Sequence, residues 1–74
     1  MEQKEDLEIL KSFGKNLRKI RKAKGFTQAM LANDVGVEIS QISRIERGVI
    51  NTSIIMLFKI SKVLNIESGE LVKF

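Results

Sequence analysis

Leu7, Leu10, Phe13, Leu17 and Ile20 recur at intervals of three and four, the spacing that gathers apolar side chains on one face of an α-helix. This stripe predicts a first helix over about residues 5–24. Glu5, Asp6 and Glu8 near its start and lysines near its end suit the helix dipole. Gly14 inside it costs about 1 kcal/mol against alanine, so the helix is expected to be either weak or closely packed there. Gly25 ends it. Thr27 is a good N-cap for a second helix reaching Asn33 or Asp34. Gly36 suits a left-handed turn. A third helix is expected from about Ile39 to Arg47, stopped by Gly48. Val49 to Thr52 reads as a loop, Ser53 or Thr52 caps a fourth helix to Leu64, and a short fifth helix begins near Ser68. No segment alternates with period two for long enough to be a strand. The expected fold class is all-α, with five helices.

The segment from Thr27 to Arg47 holds the most information. Two helices joined by so few residues cross steeply only if their backbones approach closely. Ala32 is small enough for that approach, and Gly36 turns the chain without a Cβ penalty. Leu31, Val35, Val37, Ile42 and Ile45 are expected to point inward. The outer face of the third helix keeps Ser40, Gln41, Ser43, Arg44 and Arg47. A helix serving only a core has no need of such a short, hydrogen-bonding face. The layout is that of a helix-turn-helix with one helix presented to the DNA major groove.

Composition narrows the alternatives. The chain has 74 residues, which suggests one domain over 1–74. A domain of this size buries only about 60–65% of its unfolded surface. With no cysteine and no histidine, disulfides, the usual zinc sites, a thiol nucleophile and the commonest general base are all excluded. No base-activated nucleophile or phosphate loop is recognisable, so neither an enzyme nor a cofactor, metal or small-molecule ligand is expected. No apolar run approaches the roughly 18–20 residues of a membrane span. The acidic start, Met1 to Asp6, is a poor signal peptide, and a cytoplasmic location is expected. Net charge is +4, and seven of the thirteen basic residues fall between Lys11 and Lys24 without an intervening acid. Such a run is most often a solvated helix face, and alone it favours nucleic acid only weakly.

Residues 14–71, about four-fifths of the chain, resemble the Cro/C1-type helix-turn-helix family, the lambda-repressor-like or XRE family. The resemblance is carried by Gly14, Leu17-Arg18, Ile20-Arg21, Gly25-Phe26-Thr27-Gln28, Leu31-Ala32, Gly36-Val37, Ile42-Ser43-Arg44-Ile45-Glu46-Arg47-Gly48, Asn51, Leu57, Leu64 and Leu71. It implies a compact five-helix DNA-binding domain, with residues 27–47 as the helix-turn-helix and 1–12 as an extension of helix one. It also implies a regulator acting as a homodimer on a palindromic operator. No residues are expected to remain for an effector domain. A Cro-like repressor, a restriction–modification controller protein and an antitoxin-type autoregulator all stay open.

The resemblance assigns roles. Ile39, Ser40, Gln41, Ser43 and Arg44 fall at positions that face the bases. Arg44 suits guanine O6 and N7 as a bidentate pair, while Ile39 has packing against a neighbouring helix as an equal alternative to a thymine methyl. Lys15, Arg18, Thr27, Gln28, Arg47 and Asn51 are assigned to the DNA backbone, Gln28 with the N-terminus of helix two gripping a phosphate. For Asn51 a local turn hydrogen bond is an even alternative. Glu38 departs from the family's usual Ser or Thr cap. The expectation is that it points away from DNA, the alternative being that it accepts from a cytosine amine. Arg21 and Glu46 resemble the family's structural ion pair between helices one and three.

Helix four is apolar around nearly its whole circumference, through Ile54, Ile55, Met56, Leu57, Phe58, Ile60, Val63 and Leu64. A small core covers one side of such a helix, so the other side needs a partner or is an exposed patch. A homodimer interface is expected at Ile55, Met56, Ile66, Leu71 and Phe74. The rival to the DNA-binding reading is a protein–protein interaction module of the same fold with little DNA binding of its own.

Overall fold

The computed structural model describes residues 3–74; Met1 and Glu2, where the acidic segment and the 1–12 extension begin, lie outside the described residues. Five helices follow in order: α1 Gln3–Ala23, α2 Gln28–Val35, α3 Ile39–Arg47, α4 Ile54–Leu64 and α5 Ser68–Leu71. No strand occurs among the described residues. Side-chain caps explain two of the starts. Thr27 Oγ1 accepts from the Met30 N–H and Ser53 Oγ from the Met56 N–H, each at 3.0 Å. Each satisfies one of the donors that a helix start leaves without an internal partner. Ser53, not Thr52, is therefore the cap of α4. At the far end of α4, Asn65 adopts φ 56° and ends the helix in a left-handed turn, a role asparagine fills at some energetic cost.

At 1.5 Å per residue the 21 residues of α1 extend about 31 Å, nearly the full 34 Å length of the molecule. The helix packs on α3 and α5, while α2 packs on α3 and α4. Leu17, Leu31, Ile42, Ile45, Ile60, Leu64 and Leu71 are fully buried, with Phe13, Ala32 and Met56 completing the core. Val35 and Val37 are half-buried against it.

The α1–α3 contact is backbone on backbone. A Cβ at Gly14 would strike the carbonyl oxygens of Glu46 and Ile45. Gly48, at φ 72°, lies against the α1 backbone at Leu10 and Lys11. Of the two expectations for Gly14, close packing is the outcome, and α1 runs through it unbroken.

Two expectations are corrected. The apolar stripe of α1 outruns the core: Leu7 is exposed and Leu10 half-buried, and the buried part of the stripe begins at Phe13. Met56 and Leu71, expected at a dimer interface, belong to the core at 9% and 0% exposure. Met56 shares the inward face of α4 with Ile60 and Leu64, one and two turns on. The short α5 is tied to α1 by Asn16, whose Nδ2 donates to the carbonyls of Glu70 and Leu71 at 2.8 and 3.0 Å, and this turns Leu71 inward.

Candidate nucleic-acid interface

A buried charged cluster holds the helix-turn-helix in shape. Arg21, near the end of α1, donates from Nε to Glu46 Oε2 at 2.5 Å and from Nη2 to Oε1 at 3.0 Å. Its third nitrogen, Nη1, donates to the Phe26 carbonyl at 2.8 Å. The two side chains are only 7% and 3% exposed. Both partners have given up their hydration, so the fork-to-fork geometry and the extra bond to Phe26 must offset that loss. Gln28 joins the cluster, its Nε2 donating to Glu46 Oε1 at 3.0 Å. Three element ends thus meet at one carboxylate: the C-terminal part of α1, the N-terminus of α2 and the C-terminal part of α3.

Gln28 therefore has a second commitment beside the phosphate contact expected of it. One amide hydrogen faces Glu46, while the other and the unpartnered main-chain N–H groups of the first turn of α2 are left for an anion. Thr27 is exposed beside it, its hydroxyl engaged as the cap of α2.

The buried face of α3 is Ile42, Ile45 and Glu46. Ser40, Arg44 and Arg47 are exposed and follow one another at i, i+4 and i+7, a single column along the helix. Gln41 and Ser43 flank this column, half-buried. Ile39 is 49% exposed, so of its two alternatives packing against a neighbouring helix is the weaker. Arg44 and Arg47 lie in the last turn, where the helix dipole favours cations. At the other end Glu38 has extended backbone and makes no side-chain capping bond. Asn51 is exposed in the loop after α3.

The two basic residues assigned on α1 separate. Arg18 is one turn beyond Gly14 and so shares its α3-facing side. Lys15 instead lines a shallow cleft with Lys19 and the C-terminal Lys73 and Phe74, on the side that meets the tail.

Residues 17–71 match the family model described as Helix-turn-helix. The HTH-type transcriptional regulator SlrR of Bacillus subtilis is 44% identical over 59 residues, a match that covers 78% of this chain and 39% of SlrR. The chain thus spans well under half of that relative. Among solved structures, the restriction–modification controller protein C.AhdI from Aeromonas hydrophila superposes with a TM-score of 0.85 at 38% identity, covering 88% of this chain and 94% of that one. SinR, the master regulator for biofilm formation, solved in complex with DNA, gives 0.77 at 37% identity over 82% of this chain and 98% of its own.

Proposed function

The chain belongs to the Cro/C1-type helix-turn-helix family of DNA-binding transcriptional regulators, and on that premise we propose that it binds a palindromic operator as a homodimer, with α3 in the major groove. One observation carries the reading: the exposed Ser40–Arg44–Arg47 column of α3 stands opposite its buried face, which is anchored by the Arg21–Glu46 fork. Ser40, Gln41, Ser43 and Arg44, with Ile39, read base edges. Arg18, Gln28, Arg47 and Asn51, with the backbone at Thr27, hold phosphates and set the register without conveying sequence. Lys15, on the tail side of α1, is left out of this set.

The dimer surface is redrawn from the expected one. Ile54, Ile55 and Phe58 of α4 are exposed at 70%, 63% and 54%, beside exposed Val72 and Phe74. Ile54 borders an apolar cleft of about 190 Å³ that Leu57, Val72 and Phe74 also line, and Phe58 follows Ile54 by one turn. Ile66 is half-buried at the margin. A contiguous patch of this kind marks an interaction surface, and a two-fold axis through it presents two copies of α3 about 34 Å apart, one turn of B-DNA.

In this reading the described residues and the two before them form one domain, located with its DNA in the cytoplasm. The similarity to C.AhdI supports a restriction–modification controller over the other regulator types. Selection of bound duplexes from a random pool tests the proposal. Two half-sites related by a dyad and about 10 bp apart are expected; a pool that stays random through successive rounds overturns it.

A further inference from the structure

The carboxylate of Glu38 has no structural employment, although it stands at the entrance to the helix proposed to read DNA. As the residue before α3 it has the extended backbone of an N-cap, φ −71° and ψ 148°, but its side chain caps nothing. The Gln41 N–H is instead taken by the Glu38 carbonyl at 3.0 Å. Among the described residues the one ion pair is Arg21–Glu46, so no cation neutralises Glu38. Its neighbours Ile39 and Ser40 are exposed as it is. An uncommitted anion beside a polyanion is repelled wherever it meets phosphate. In the major groove it is satisfied by water or by a base that offers a donor, and only the base conveys sequence.

Two bases offer one: cytosine through its N4 amine and adenine through its N6 amine. Adenine sets the N7 acceptor beside its amine, which repels a carboxylate, whereas cytosine does not. We infer that Glu38 is a specificity-determining residue that accepts a hydrogen bond from a cytosine amine and rejects the other bases at that position. The inference rests on α3 entering the major groove and sharpens that reading. Of the two alternatives for Glu38 it takes up the contact to a cytosine amine, for which the exposed, uncapped side chain is free. Glu38 stands at the start of α3 and Arg44 in its last turn, so the cytosine is a different base pair from the guanine assigned to Arg44.

The test repeats the random-pool selection with the intact chain, Glu38→Ala and Glu38→Gln, and then measures affinity for the selected duplex and its single-base variants at one salt concentration. The intact chain is expected to fix one cytosine per half-site, with a preference of about 5- to 150-fold over the other bases. Glu38→Ala loses that preference and keeps the guanine of Arg44. Glu38→Gln moves the preference to adenine, whose N6 and N7 match an amide. Circular dichroism of the variants is expected to be unchanged, the site being exposed. If Glu38→Ala retains the cytosine, or tightens binding to every duplex alike, Glu38 only repels phosphate and the inference is overturned. If the intact chain enriches no sequence, the DNA-binding reading itself falls, and this inference with it.

Discussion

Arg21, Glu46 and Gly14 are the residues whose environment departs most from what their type suggests. In the sequence Arg21 is one of seven basic residues along a charged run; in the structure it is buried and makes three hydrogen bonds. Arg21→Ala leaves Glu46 desolvated with only Gln28 as a donor, and is expected to cost about 3–5 kcal/mol. Urea unfolding checks this, as a lowered midpoint at unchanged slope; a loss below about 1 kcal/mol would mean that water reaches the pair. Gly14→Ala gives a test of sign. In an open helix the change stabilises by about 1 kcal/mol. Here the methyl group meets the Ile45 and Glu46 carbonyls, so a loss of about 1–3 kcal/mol is expected. Neither residue's burial is visible in periodicity, because both depend on where α3 ends in space.

At the scale of elements the starts and stops were largely legible, since they depend on local chemistry. Thr27, Gly36 and Gly48 act within a turn of where they stand in the chain, and all three mark observed helix ends. Asn65 is less legible: a left-handed asparagine lacks the strong compositional signal of glycine. Which face of α4 is buried was not legible at all, because a helix apolar all round has no preferred side. Met56 therefore lies in the core against expectation, and Phe58 is exposed on the other side of the helix. The caps supply paired predictions. Thr27→Ala is expected to lower stability by about 0.5–2 kcal/mol. Glu38→Ser supplies the cap that α3 lacks and is expected to raise it by a similar amount, read as opposite shifts in the thermal midpoint. A Glu38→Ser chain that is no more stable would show that the α3 start needs no side-chain cap.

For the whole molecule, the distribution of surface character matters more than the net charge. The exposed polar column of α3 forms one surface, and exposed apolar side chains gather on α4 and the tail. The exposed face of α3 was legible because short polar side chains repeat there at helical spacing. Gln28's bond to Glu46 was not, since it joins residues 18 apart in the chain. Phe58→Asp places a charge on the exposed apolar patch without touching the core, and is expected to weaken self-association at least tenfold in sedimentation while the monomer stays folded. Association equal to that of the intact chain would place the dimer contact elsewhere.

The central claim is that α3 reads sequence while the basic surface around it holds phosphate. It is tested most directly by titrating the selected duplex and a shuffled duplex of equal length across a salt series. The account predicts affinities at least about 10³-fold apart at physiological salt, with the shuffled duplex losing affinity along a log–log slope of about −0.9 per phosphate contacted. Equal affinity for the two duplexes, or binding of either without salt dependence, would contradict it.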